Sequence, residues 1–186
     1  MEAAYGREYA GQRRLVGFTV PLADERHGAH SIFIVDDDQA VRDSLAALLE
    51  TVGLKVETYA SGQAFLDAYA PSYPGCLLLD VRMPGMGGLT LQAKLAEQQA
   101  SIPIIFITGH ADVSMAVRAM KAGAFDFIEK PFKDDVIIES VQHAMEHGQQ
   151  IQKRKELAKK AADLLTQLTT REREVLEWIV LHDLEG

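Results

Sequence analysis

Residues 31–53 read Ser-Ile-Phe-Ile-Val-Asp-Asp-Asp-Gln-Ala-Val-Arg-Asp-Ser-Leu-Ala-Ala-Leu-Leu-Glu-Thr-Val-Gly. The run Ile32 to Val35 is unbroken by polar residues, which suits a parallel strand covered on both faces rather than a half-exposed one. Asp36, Asp37 and Asp38 close the run. Beyond them Val41, Leu45, Leu48, Leu49 and Val52 recur at spacings of three and four, the stripe of a helix packing one face on a sheet. Gly53 stands where a helix C-terminal glycine belongs. A strand, an acidic turn and an amphipathic helix follow one another without a spare residue.

The same unit returns along the chain. Apolar runs at Leu54 to Tyr59, Cys76 to Leu79, Ile104 to Ile107 and Phe125 to Ile128 alternate with stretches of helical spacing. Helices are expected at about 61–70, 88–99, 112–122 and 133–147. Four of the five runs are almost wholly apolar, whereas Leu54-Lys55-Val56-Glu57 alternates as an edge strand does. The fold class is therefore α/β: a doubly wound five-stranded parallel sheet followed by a C-terminal helical linker, with the flavodoxin-like order 2-1-3-4-5 taken as the expected arrangement.

Composition agrees with this size. The chain has 186 residues, 47% hydrophobic and 25% charged, enough for one well-packed domain and a fragment of another. A single cysteine, Cys76, excludes an intrachain disulfide framework and a cysteine-rich zinc site, and is read as a core thiol in a reducing compartment. The apolar stretch Leu15 to Ala23 is broken by Gly17, Thr19 and Pro21 and falls short of the roughly 18 residues of a membrane span. A cytoplasmic protein without a membrane partner is expected. The net charge of −8 is concentrated in residues 31–147, with sixteen acids against eight bases, while residues 148–165 carry five bases and two acids.

In a doubly wound sheet, ligands bind beyond the C-terminal ends of the strands. Those ends are Asp36-Asp37-Asp38, Asp80, Thr108 and Lys130. One such aspartate is most often a turn former or helix cap. With order 2-1-3-4-5, however, Asp80 faces the acidic pair on one side and the Thr108 hydroxyl and Lys130 ammonium on the other. Converging carboxylates raise one another's pKa unless a cation compensates. Oxygen donors without histidine or cysteine suit a hard ion such as Mg²⁺, or Mn²⁺ in its place. Neither Gly-x-x-x-x-Gly-Lys-Ser/Thr nor Gly-x-Gly-x-x-Gly occurs, which argues against nucleotide hydrolysis and dinucleotide chemistry. A carboxylate could instead hold phosphorus covalently as an acyl phosphate.

Val35-Asp36-Asp37-Asp38, Leu79-Asp80-Val81-Arg82-Met83-Pro84-Gly85-Met86, Ile107-Thr108-Gly109-His110 and Phe125-Asp126-Phe127-Ile128-Glu129-Lys130-Pro131-Phe132 resemble the receiver domain of two-component response regulators, above all its FixJ-like branch. The resemblance covers residues 31–147. It implies that Asp80 accepts a phosphoryl group from a sensor histidine kinase. It implies a metal site of Asp36, Asp37, Asp80 and the Arg82 backbone carbonyl, with Lys130 pairing with the phosphoryl oxygens. It also implies a cis Lys130-Pro131 bond and a switch in which Thr108 moves toward the phosphoryl group and Phe127 turns inward. The face of the fourth helix, fifth strand and fifth helix would then change, promoting a homodimer. Such a protein is a regulator rather than an enzyme. Where the family often has Asp-Gly after Met86, this chain has Gly87-Gly88, so the next helix loses a capping carboxylate.

Two other classes compete for the same residues. An aspartate-nucleophile phosphohydrolase, HAD-like, wants a second Asp two residues after the nucleophile, where this chain has Arg82. A vestigial receiver acting as an interaction module would accept no phosphoryl group at all.

The flanks are less informative. Residues 1–30 form an N-terminal extension without a usable motif, expected to lack order. Residues 148–167 read as a helical linker of high helix propensity. Together with the preceding helix, Ile137, Val141, Ala144, Ile151, Ala158, Ala162 and Leu165 mark a stalk that could pair with a copy of itself, interrupted by Gly148 and Lys155. Residues 168–186 resemble the truncated start of a LuxR-type helix-turn-helix, with Thr169 and Glu172 as a capping box. Without its recognition helix, DNA is not expected as a partner of this chain alone. His143 and His147, four apart, could chelate zinc but are more simply solvent-facing groups near a helix C-terminus.

Overall fold

The computed structural model describes residues 12–15, 18–21, 31–70, 75–109, 113–169, 171–172, 175 and 178. Strands β1 (Gln12–Leu15) and β2 (Phe18–Pro21) pair antiparallel. This short ribbon lies in the stretch from which the sequence offered no motif. The remaining strands are β3 (Ser31–Val35), β4 (Lys55–Tyr59), β5 (Gly75–Leu79), β6 (Ile104–Thr108) and β7 (Asp126–Glu129). They form one parallel sheet in the order β4-β3-β5-β6-β7. Numbered among themselves the five strands run 2-1-3-4-5, the order expected from the sequence.

Between them lie α1 (Gln39–Thr51), α2 (Gly62–Ala68), α3 (Gly88–Glu97), α4 (Val113–Lys121) and α5 (Asp134–Thr166). Alternate residues of each strand face opposite layers. Phe33, Val35, Leu77, Leu79, Ile104 and Phe106 pack with Phe65 of α2 and Leu91 and Leu95 of α3. Ile32, Ile34, Cys76, Leu78, Ile105 and Ile107 pack with Leu45 and Leu49 of α1 and with Ile137, Val141 and Ala144 of α5. Two helical layers thus dry both faces, which is why the strands could be so uniformly apolar.

Helix starts follow local chemistry. Asp38 caps α1, its carboxylate accepting from Ala40 N–H at 2.8 Å, and Ser61 caps α2 by accepting from Ala64 N–H at 3.2 Å. Gly87 precedes α3 and supplies no side-chain cap, as its replacement of the family's aspartate implies. Gly88 is needed for space: a methyl group there would lie 2.3 Å from the Asp80 carbonyl oxygen. Gln92 of α3, 3% exposed, donates to the carbonyls of Ala119 at 3.1 Å and Ala122 at 3.3 Å, tying α3 to the C-terminal end of α4.

The chain divides into two compact units, residues 1–149 and 150–186. The sequence predicts a helix over 133–147 and then a helix-prone linker; the structure joins the two in α5 without a break. Three expected stalk positions, Ile137, Val141 and Ala144, are fully buried in the sheet's own core and so are not available as a pairing seam. Gly148 brings the helix close to Pro103, whose Cγ would lie 3.2 Å from an added methyl. His143 and His147 sit inside this helix rather than near its end, and the His147 ring lies 5.4 Å from that of Phe125. In the second unit the Thr169–Glu172 capping box forms, Glu172 accepting from Thr169 N–H at 2.9 Å and from its hydroxyl at 2.7 Å. The rest of the expected helix, including Leu176, Ile179 and Val180, lies outside the described residues. Among the described residues no helix is long and apolar enough to cross a membrane.

Candidate functional site

The strand ends meet as the topology requires. β3 lies between β4 and β5, and Asp80 N–H donates to the Val35 carbonyl at 2.9 Å, bringing the residues after β3 and β5 side by side. Lys130, just past β7, donates its backbone N–H to the Thr108 carbonyl at 2.9 Å. The Lys130–Pro131 peptide is cis, as the resemblance implies. Phe127 stands opposite Phe106 across β6 and β7, the two rings 6.1 Å apart.

Asp36 and Asp80 are both buried, at 4% and 8% exposure. Lys130 Nζ reaches between them, 2.8 Å from Asp36 Oδ2 and 3.5 Å from Asp80 Oδ1. Asp36 Oδ1 accepts from Asp38 N–H at 2.9 Å, and Asp80 Oδ2 accepts from Arg82 N–H at 2.6 Å. Burial pushes the Asp80 carboxyl above its ordinary pKa and the nearby Asp36 charge adds to this, against the pull of the Arg82 N–H and the Lys130 ammonium. Two buried carboxylates thus share one ammonium among the described residues.

Asp37 is exposed on the turn after β3, and the Arg82 residue is exposed while its amide holds Asp80. Thr108 is buried at the end of β6, and Phe127 is half-buried against the core. Among the described residues, no three side chains of His, Cys, Asp or Glu gather closely enough to hold a metal ion by themselves. The donor chemistry nevertheless suits Mg²⁺, which keeps several waters and is commonly held by one or two carboxylates together with a phosphate oxygen. Asp36 and Asp80 supply two hard-oxygen donors with charge to spare.

Sequence reasoning passed over Arg42. Its Nη1 donates to the carbonyls of Asp36 at 2.8 Å and Asp37 at 3.1 Å. The available signal was a lone cation near the start of a helix, where the dipole disfavours it.

A doubly wound sheet with order 2-1-3-4-5, buried carboxylates beyond its first and third strands and an ammonium between them is a flavodoxin-like fold with a charged ligand crevice at its strand ends. Comparison with known proteins agrees. The family model for the response regulator receiver domain matches residues 32–142. The transcriptional regulatory protein FixJ of Azorhizobium caulinodans is 48% identical over 153 residues, 80% of this chain and 71% of that protein. The response regulator protein TmoT of Ectopseudomonas mendocina is 44% identical over 152 residues, 80% of this chain and 68% of that protein. Among solved structures, response regulator StyR aligns with a TM-score of 0.77 at 39% identity, covering 82% of this chain and 77% of that one. The FixJ-N crystal structure aligns with a TM-score of 0.59 at 52% identity, covering 63% and 94%. The chain belongs to the response regulator receiver family and is a phosphoacceptor regulator of the FixJ-like type.

Proposed function

We propose that Asp80 is the phosphoacceptor, charged by a sensor histidine kinase in the cytoplasm, and that the protein acts as a switch rather than as an enzyme. The observation that carries this reading is the buried pair Asp36 and Asp80 sharing the Lys130 ammonium. An Asp80 carboxylate oxygen attacks the phosphorus of a phosphohistidine, the P–N bond breaks, the imidazole leaves, and an acyl phosphate remains on Asp80. Asp36, Asp37, Asp80 and the Arg82 carbonyl would hold Mg²⁺, which when bound supplies charge neutralisation at the transferring group. Lys130, already within reach of Asp80, turns toward the incoming phosphoryl oxygens. The Arg82 amide holds the other carboxylate oxygen and limits rotation of the side chain.

Readout rests on Thr108 and Phe127. Thr108 is buried at the end of β6, and Phe127 is half-buried on the neighbouring strand, two positions before the residue paired with Thr108. A Thr108 hydroxyl drawn to the phosphoryl group frees space into which the Phe127 ring turns. Exposed apolar side chains on the two helices are Val113, Val117 and Met120 of α4 and Val136 of α5. A homodimer that buries these side chains gives the phosphorylated form its few kcal/mol of preference.

The test is labelling with a small phosphoryl donor. The parent chain incorporates one group in Mg²⁺ and none in excess chelator, and Asp80→Asn incorporates none. Equal labelling of Asp80→Asn and parent would overturn the assignment. Thr108→Ala should accept phosphate yet lose phosphorylation-dependent association; association equal to the parent's would remove Thr108 from the switch.

A further inference from the structure

Arg42 is the fourth residue of α1, close to the helix N-terminus, and α1 has no acidic residue in its first turn. The helix dipole favours anions at this end and disfavours cations. A guanidinium is retained there where acceptors compensate, and Arg42 Nη1 has two, the carbonyls of Asp36 at 2.8 Å and Asp37 at 3.1 Å. Both carbonyls belong to the turn that carries the acidic pair. The same turn is tied at its other groups: Asp36 N–H donates to the Tyr59 carbonyl at 3.3 Å, and Asp38 N–H donates to Asp36 Oδ1 at 2.9 Å. Asp38 in turn caps the helix from which Arg42 reaches back.

We propose that Arg42 is a positioning residue for the cation site, fixing the backbone of the acidic turn so that the main chain carrying Asp36 and Asp37 stays in place when a divalent ion binds. The inference rests on reading the crevice as a Mg²⁺ site. Two effects of Arg42 oppose one another. Its charge repels an incoming cation, while its paired bonds hold the ligand backbone in place. The side chain is half-exposed, so water and salt screen the repulsion, whereas the geometric constraint is unscreened. Positioning prevails. A single guanidinium nitrogen shared by consecutive carbonyls also fixes their relative orientation, which a lysine ammonium does less rigidly.

The experiment measures Mg²⁺ affinity of the full chain by titration calorimetry, with circular dichroism as the check on folding. Arg42→Met should weaken binding by about tenfold, the lower end of what loss of a ligand-supporting partner costs. Arg42→Lys should recover part of the loss. Arg42→Gln removes the charge but can keep one donor, and serves if Arg42→Met does not fold; it should also bind more weakly than the parent. Tighter binding by Arg42→Met and Arg42→Gln alike would show that charge governs, and would overturn the proposal. So would unchanged affinity in a well-folded Arg42→Met. Asp36→Asn separates the two layers of the argument. If Asp36→Asn loses the ion while Arg42→Met does not, the crevice reading stands and the role of Arg42 falls. If the parent itself takes up no Mg²⁺, both fall together.

Discussion

Gly87 and Gly88 are neighbours at the start of α3 and should respond oppositely to substitution. A methyl group on Gly88 would lie 2.3 Å from the Asp80 carbonyl oxygen, 3.0 Å from the Phe106 ring and 3.1 Å from Val81 Cα. Two of these neighbours are backbone, so no side-chain rotation relieves the contact. Reaching even 3.0 Å requires α3 to retreat by about 0.7 Å from the end of β5. That retreat would loosen Leu91 and Leu95, which are 0% and 1% exposed on the same helix. Overpacking of this kind costs about 1–3 kcal/mol. Alanine in place of glycine returns roughly 0.4–1 kcal/mol through the unfolded chain, leaving a net loss for Gly88→Ala of about 1–2 kcal/mol. At Gly87 the nearest atom, the Val81 oxygen, is 3.2 Å away, and φ is −71°. Gly87→Asp restores the missing cap and restricts the unfolded chain, for a gain of about 0.5–1 kcal/mol. Urea unfolding with an unchanged m-value reads both. If Gly88→Ala unfolds at the parent's midpoint, or if Gly87→Asp loses as much as Gly88→Ala, the close-approach argument is wrong.

Three further outcomes are expected. Because burial raises the Asp80 pKa, the folded state binds that proton more tightly than the unfolded chain, so the carboxyl's contribution to stability is full below its ordinary value of 3.8 and lost as pH rises through the raised folded value. Asp80→Asn, measured without Mg²⁺, should therefore be more stable than the parent at pH 7, with an advantage that shrinks as the buffer is acidified; a growing advantage would contradict this. Gln92→Met keeps the volume but removes the side-chain donations to the Ala119 and Ala122 carbonyls, a loss of about 0.5–1.5 kcal/mol by chemical unfolding. The Tyr69 hydroxyl is buried without a hydrogen-bond partner among the described residues, and burial pushes its pKa up to about 12. Tyr69→Phe should accordingly equal or exceed the parent in unfolding free energy, by up to about 1 kcal/mol, and a fall of that size would reveal a bond to the hydroxyl.

The succession of apolar runs, acidic turns and helical stripes was enough for the parallel sheet and the identity of the residues after each strand, because burial on both faces leaves an unmistakable pattern; the order 2-1-3-4-5 was an assumption that the folded sheet bears out. Local chemistry was likewise legible: the Thr169–Glu172 box depends on residues within three positions. What required the folded chain were relations between residues distant in sequence. That Lys130 sits nearer Asp36 than Asp80, that Gln92 ties α3 to the end of α4, and that Gly88 marks a close approach to Asp80 follow from how separate elements pack. The stalk positions show the same division. A three-and-four spacing declares one helical face apolar, but whether that face meets a copy or its own sheet is decided by which surface lies nearest, and for Ile137, Val141 and Ala144 it is the sheet.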